Sequence, residues 1–456
     1  MKKMFKFRNI LRVNTTFKGG VHLDDRKDLT ARKPTTKAPI PKRIWLPLIQ
    51  NTGLPCKIIV SVGAYVKVGT KIGEAEGNIS AHIHSSISGK VIDISEFNHP
   101  ILPTRFLTCV IESDGQDIWE DSIKERDYSK FSKEELIAII RDAGIVGLGG
   151  GAFPTHVKVT PPSEKPIDTL IINGCECEPY LTADHRLILE KPDEIIKGAQ
   201  IIAKVLNVSK VIIAIEDNKP DAIEQIRQSL ILNSESKNGN SKIEIRNLKT
   251  KYPQGSEKHL IKALLNRTVP AKGLPMDVGV VVQNVGTVHA VYQACRYNKP
   301  LIEKFITVTG SGIKEPQNIW VRLGTPVYDI VSFCGGYTEE PAKIIFGGPM
   351  MGIAQYTDEM PITKGTSGIL VLTSKEVKIT EEGPCIRCGR CANSCPMLLL
   401  PYELNNFIKK RNFVKAKDLN ALECIECGCC AYICPAKIKL VHAFKFAKNE
   451  ITLPNQ

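Results

Sequence analysis

CIRCGRCANSCP, residues 385–396, and CIECGCCAYICP, residues 424–435, are the stretches on which the reading of this chain turns. Each has the spacing C-x2-C-x2-C-x3-C-P. Two-residue gaps let three thiolates wrap one face of an iron–sulfide cubane, and the fourth, followed by proline, reaches the other cluster of a pair. This assigns one 4Fe–4S cluster to Cys385, Cys388, Cys391 and Cys434, and a second to Cys424, Cys427, Cys430 and Cys395. Zinc is the competing reading, but zinc sites rarely use four closely spaced thiolates twice over with a proline after each set. Cys429 breaks neither spacing and reads as a spectator. The segment between the runs, Pro401–Glu423, has the look of a helical insertion. Residues 376–456 are expected to form a helical ferredoxin domain with two clusters.

The remaining cysteines set the compartment. Of fifteen, eight sit in the two runs and the other seven show no framework spacing, so the expectation is a reducing interior. The chain opens MKKMFKFRNILRVNTTF, with basic residues but no apolar stretch of secretory type. No window approaches eighteen uninterrupted apolar residues. The net charge of +13 is unevenly placed: residues 1–43 hold thirteen Lys or Arg against three Asp. Such an arm, residues 1–40, suits docking on an anionic membrane surface or an acidic protein. The plainer alternative is a leader wrapped on the next domain. There is no nucleic-acid fold signature, so no nucleic-acid partner is expected.

Between arm and cysteines, 456 residues leave room for several domains. Residues 41–112 read as short strands with glycine turns and no helical period. The phrases VGAYVKVGTKIG, Val62–Gly73, and IHSSISGKV, Ile83–Val91, resemble the half-motifs of biotinyl and lipoyl domains, which implies a barrel-sandwich hybrid. The modified lysine with its hairpin signature is missing. Lys90 lies in the closing strand phrase, and the module reads as a scaffold. From Ser132, which makes a capping box with Glu135, strands and helices alternate through residue 300. Strands are expected at Thr169–Ile172, Lys210–Ile215, Lys242–Leu248 and Val278–Val282, with helices at Asp193–Leu206, Pro220–Leu230 and Gly255–Leu265. That alternation predicts an α/β domain over 113–300 with a largely parallel sheet. Residues 301–375 resemble the β-grasp-like SLBB module of complex I relatives, on the unit Phe305–Tyr337.

A second constellation lies in the α/β part. GIVGLGGGAFPTHVK, Gly144–Lys158, would let backbone approach a phosphate or flavin ring closely at Gly147, Gly149 and Gly150. It is neither a Walker loop nor a dinucleotide fingerprint. NGCECEPY, Asn173–Tyr180, follows a strand and puts Glu176 and Glu178 at its carboxyl end, where such sheets bind ligands. YPQGSEK, Tyr252–Lys258, opens one helix, and NVGTVHAVYQA, Asn284–Ala294, opens another after a strand. Four polar, glycine-containing loops at corresponding sheet ends make a dinucleotide or flavin crevice. Singly, Phe153 and Tyr252 could be core, and Glu257 a solvated helix face.

In this order the loops resemble the flavin- and NADH-binding subunit of respiratory complex I. With the N-terminal sandwich and the two cysteine runs, nearly the whole chain is similar to the C-subunit family of Rnf complexes, membrane-bound, ion-translocating ferredoxin:NAD+ oxidoreductases. The resemblance implies that Gly147, Gly149, Gly150, Lys158, Asn173, Glu176, Asn284 and Thr287 line an FMN site. It implies that Phe153, Glu178 and Glu257 lie where NAD(H) binds as substrate. Three motifs depart from complex I: Leu148 stands for an arginine, Cys175 and Cys177 for Asp and Ser, and Ser256 for one of two glutamates.

The implied activity is hydride exchange between NAD(H) and FMN, with single electrons carried by the two 4Fe–4S clusters and no side-chain acid or base as catalyst. The implied partners are the other subunits of the complex, one of which brings electrons from ferredoxin. The implied location is peripheral, on the cytoplasmic face of the cell membrane. Two further readings use the same residues: a soluble NADH-dependent donor to cobalamin or an amino-acid reductase, and an electron relay whose nucleotide site is vestigial.

Overall fold

A computed structural model describes residues 15–232, 242–377 and 380–452. The chain enters as an extended strap and makes a first short strand, β1 (Thr36–Lys37). Seven strands follow: β2 (Arg43–Pro47), β3 (Cys56–Ile58), β4 (Tyr65–Val66), β5 (Lys71–Ala75), β6 (Ile83–His84), β7 (Gly89–Asn98) and β8 (Arg105–Ser113). They form two antiparallel sheets, β2-β8-β7-β4 and β3-β5-β6. Ile44, Leu46, Ile72, Ile83, Ile87, Val91 and Ile111 are sealed in the core that the two sheets share. Lys90 is the second residue of β7, paired with Tyr65 and Glu112 on either side, and not on a hairpin tip.

The α/β domain begins at α1 (Lys133–Asp142), started by the reciprocal Ser132–Glu135 capping box. Gly144 follows it with φ +63°, and any β-carbon there would stand 2.2 Å from the His82 carbonyl oxygen of the sandwich. A single turn, α2 (Thr155–Lys158), closes the glycine loop. Then come β9 (Thr169–Gly174), α3 (Ala183–Glu190), α4 (Pro192–Leu206), β10 (Lys210–Glu216), α5 (Pro220–Leu232), β11 (Lys242–Leu248), α6 (Glu257–Leu265), β12 (Val280–Asn284) and α7 (Val285–Tyr297). The sheet order is β11-β10-β9-β12, every pair parallel. The strands are Val/Ile runs because both faces are covered. Leu170, Ile172 and Val281 join the core shared with α4 and α7, while Ile171, Val280 and Val282 pack with Leu260 and Leu264 of α6. After β9 the chain builds outward through β10 and β11, then returns to the other flank of β9 as β12. The order reverses there, and register sets Asn173 beside Asn284 at the two carboxyl ends.

Beyond it, β13 (Glu303–Thr309), β14 (Gln317–Arg322), α8 (Val327–Phe333), β15 (Lys343–Phe346), β16 (Ile353–Gln355) and β17 (Gly368–Leu372) make a mixed sheet, β1-β14-β13-β17-β15-β16. Its first strand belongs to the arm. This corrects the reading of the arm as free for docking from Phe17 onward: Phe17, Val21, Lys27, Thr30 and Ala38 are buried. The plainer alternative describes this part, while residues 1–14 lie outside the described residues.

The C-terminal segment is helical: α9 (Arg390–Ser394), α10 (Pro401–Lys409), α11 (Phe413–Asp418), α12 (Cys429–Tyr432) and α13 (Leu440–Thr452). The repeat is also a repeat of conformation. Arg387 and Gly389 in the first run, like Glu426 and Gly428 in the second, take positive φ (53°, 73°, 58° and 82°). Among the described residues no helix is long and apolar enough to cross a membrane.

Candidate functional site: a flavin crevice beside two thiol quartets

The eight motif thiols fall into two groups. Cys385, Cys388, Cys391 and Cys434 line one small cavity, with Tyr402 and Ile438. Cys395, Cys424, Cys427 and Cys430 line another, with Met397 and Phe444. Each cavity therefore takes three cysteines from one run and the last from the other. Among the described residues no three His, Cys, Asp or Glu side chains converge tightly enough to hold a single metal ion. A cubane meets each of four sulfurs through its own iron, so four cysteines lining one cavity are the set such a cluster needs. The settings differ. Cys385 and Cys388 are exposed, but Cys395, Cys427 and Cys430 are buried. Cys427 and Cys429 share a small apolar core with Val21 and Tyr252, which Cys177 and Met350 flank. Tyr252 is thus a core residue joining the two domains. Cys429 is wholly buried beside its carbonyl.

The glycine loop sits at the switch point of the sheet. Gly147 N–H donates to the Phe153 carbonyl (2.8 Å), and Ala152 N–H returns to that of Gly147 (3.0 Å), pinching the loop. Leu148 N–H donates to Thr287 Oγ1 at 2.9 Å, tying the loop to the first turn of α7. Thr287 is fully buried, so its hydroxyl fixes the loop. At Gly150 (φ +103°) and Gly151 a side chain would point into open space, while at Gly149 it would come within 3.4 Å of Asn284. Phe153 is half-buried.

Asn284 caps α7, its Oδ1 accepting from Gly286 N–H (2.8 Å), and its Nδ2 donates to Asp184 (2.6 Å). Burial, with the Glu176 charge nearby, pushes Asp184 up to about 7. Asn173 Nδ2 donates to the Gly255 carbonyl (2.8 Å), joining the acidic turn to the loop before α6. Lys158 donates to Glu257 at 2.5 Å and to the Val282 carbonyl at 2.9 Å. A residue expected at the flavin and one expected at the nucleotide thus form an ion pair.

The two glutamates of the acidic turn point elsewhere. Glu176 accepts from the N–H groups of Asp184 (2.7 Å) and His185 (3.2 Å), where no side chain of the α3 N-cap serves them. Glu178 accepts from Met350 N–H (3.1 Å) and Met351 N–H (2.9 Å), and burial pushes it up to about 7. Its carboxylate faces the loop Gly347–Gly352, which sequence reasoning passed over although GGPMMG holds three glycines. Any β-carbon on Gly348 would stand 2.3 Å from Glu178 Oε2, and Met350 covers Gly428 of the second run.

The residues present fit a flavin mononucleotide. The carboxyl ends of β9 and β12, the open side of the glycine loop, a lysine and two asparagines supply what a phosphate and a hydrogen-bonding ring require. Gln254 and Gln283, buried in the loop before α6 and at the end of β12, have no partner for either amide atom among the described residues.

Comparison with known proteins follows these parts in order. Family models match at residues 15–116 (RnfC barrel sandwich hybrid domain), 140–293 (Nuo51 FMN-binding domain), 305–354 (SLBB domain) and 377–435 (4Fe-4S dicluster domain). The chain is 49% identical over 440 residues to the C subunit of the proton-translocating ferredoxin:NAD(+) oxidoreductase complex of Clostridium ljungdahlii, covering 95% of this chain and 94% of that one. The chain belongs to the RnfC family. Another RnfC relative, the C subunit of the Na(+)-translocating ferredoxin:NAD(+) oxidoreductase complex of Acetobacterium woodii, is 43% identical, with 96% and 97% covered. The C subunit of the ion-translocating oxidoreductase complex of Rhodobacter capsulatus is 44% identical, covering 96% of this chain and 83% of that one. The RnfC assignment accounts for the order of modules: sandwich, FMN-binding domain, SLBB domain and dicluster domain in one chain.

Proposed function

We propose that this chain is the C subunit of an ion-translocating ferredoxin:NAD+ oxidoreductase, binding FMN and two 4Fe–4S clusters and exchanging electrons with NAD(H). The observation that carries this is the near-full-length identity to subunits so named. The fold supplies a physical reason. A flavin accepts two electrons from a reduced nicotinamide and releases them singly to iron–sulfur centres, so it belongs where a nucleotide crevice and a thiol quartet adjoin.

The chain's own residues position and insulate. Lys158, with Asn284 and the N-terminus of α7, would hold the flavin phosphate, and Gly147, Gly149 and Gly150 would give it room. Asn173 and Glu176 fix the acidic turn on one side of the crevice, and Thr287 fixes the glycine loop on the other. Phe153 offers an aromatic face to a nicotinamide nucleotide. Glu257 would meet that nucleotide while holding Lys158. Glu178 serves the same site through the 347–352 loop. Cys395, Cys424, Cys427 and Cys430 form the quartet facing Tyr252. Cys385, Cys388, Cys391 and Cys434 form the one open to the surface and hence to another subunit. Association with the cytoplasmic face of a membrane follows from assembly with such partners. A chain whose described helices are all too short or too polar to span a bilayer would be held there peripherally.

Anaerobic titration of the iron- and FMN-reconstituted protein with NADH, followed by visible absorbance and EPR, tests the reading. Flavin bleaching with reduced-cluster signals is the expected result. Clusters that stay oxidised beside a chain that binds no flavin would reduce it to a relay.

A further inference from the structure

Lys27 comes from the arm, yet it is only 7% exposed. Its Nζ donates to the carbonyl oxygens of Glu176 and Glu178, each at 3.0 Å, and to that of Leu181. An ammonium has three N–H donors, and here every one meets a carbonyl of the same turn. A neutral amine could serve only two. Burial pulls the ammonium towards losing its proton; the Glu176 charge opposes this, as do those of Glu216 and Asp25, while that of Lys219 adds to it.

The turn needs such a partner. Glu176 (φ +50°) and Tyr180 (φ +69°) both take the left-handed conformation without being glycine. Each is a strained conformation for a residue with a side chain and persists only where its surroundings over-determine it. Left-handed residues help swing successive carbonyls inward to one point, and Lys27 occupies that point. The arm runs beside the turn throughout: Tyr180 N–H donates to the Asp25 carbonyl (2.7 Å), and the Thr30 and Thr182 hydroxyls lie 2.6 Å apart.

We propose that Lys27 is a positioning residue for the flavin site. Its ammonium sets the shape of the acidic turn, so that Glu176 meets the start of α3 and Glu178 meets Met350 and Met351. While protonated it also adds a positive charge to the acidic turn, which favours the reduced, more negative form of a flavin held against that turn. The inference rests on the FMN assignment above.

The test uses the full-length chain with its clusters rebuilt and its flavin removed. FMN is titrated back by fluorescence quenching, and the flavin reduction potential is read by dye-coupled titration. Lys27→Met should raise the FMN Kd by about tenfold, the effect of losing roughly one charge-assisted hydrogen bond net, and make the potential more negative. Lys27→Arg keeps the charge but presents a planar fork to three converging carbonyls. It should raise the Kd while leaving the potential near wild type. Lys33→Met is the control, since Lys33 is an exposed arm lysine bonded to the Pro316 carbonyl at 2.7 Å, away from the turn. It should match wild type in both. A Lys27→Met protein with wild-type Kd and potential overturns the proposal, as do equal shifts in Lys27→Met and Lys33→Met. Should Lys27→Met fail to fold, Lys27→Arg decides, and a wild-type Kd there overturns it. A wild-type chain that binds no FMN would sink the flavin assignment instead.

Discussion

Glu178 is a half-buried carboxylate, held by two backbone N–H groups yet pushed up to about 7 by its burial. A folded-state pKa raised above the ordinary carboxylate range means the folded form favours the proton. The linked stability is fully present below the ordinary glutamate pKa and is lost as pH rises through about 7. Glu178→Gln cannot titrate. The Tm of wild type minus that of Glu178→Gln should therefore fall between pH 5 and pH 8, and a flat difference would show that burial does not govern this carboxyl. A second residue-scale prediction concerns the crossed quartets. Cys434→Ser should leave Cys385, Cys388 and Cys391 open to alkylation while Cys424, Cys427 and Cys430 stay protected, with the iron content halved. Peptide mapping of the labelled protein reads this directly, and labelling of the second run instead would mean uncrossed clusters.

At the scale of elements, helix α4 lies against α7 closely enough that a β-carbon on Gly198 would stand 2.2 Å from the Val288 carbonyl oxygen. Alanine normally stabilises a helix relative to glycine, by up to about 1 kcal/mol. Here Gly198→Ala must push two helices apart and should cost about 1–3 kcal/mol, read as a lowered Tm. A neutral or stabilised variant would show that the α4–α7 contact yields. The strap of the arm works on a longer lever. Gly20 N–H donates to the Ser394 carbonyl (2.8 Å), Val21 and Tyr252 exchange backbone bonds, and Phe17 packs on His259, whose Nε2 lies 3.0 Å from the Pro396 carbonyl. One extended segment thus holds the cysteine-rich domain against the α/β domain.

In the whole molecule the parts differ in what keeps them folded. The sandwich, the α/β domain and the mixed sheet share one continuous apolar core. The C-terminal domain has a small core of its own, in which Cys395, Cys430 and Cys434 are members. Removing iron therefore takes away part of what holds residues 380–452 together. Anaerobic chelation should make this segment the first site of limited proteolysis, leaving residues 242–377 in a resistant fragment. First cuts within that fragment would show that the clusters are not the main support of the C-terminal domain.

The sequence by itself determined what depends on local spacing. Cysteine gaps marked the clusters, Val/Ile runs alternating with helical segments marked the parallel sheet, Ser132 and Glu135 marked a helix start, and polar loops at strand ends marked the crevice. Each signal spans a few residues, so chain geometry alone fixes its meaning. The tertiary structure decided where side chains point and what crosses between modules. Tyr252 is core, Lys158 meets Glu257, and Glu178 turns to a loop 172 residues away. Lys27 reaches a turn 149 residues on. In the sequence Lys27 is one more charge in a basic arm. Only the closing of the chain on itself puts three carbonyls around it, because burial and hydrogen bonding depend on distant partners that no local pattern encodes.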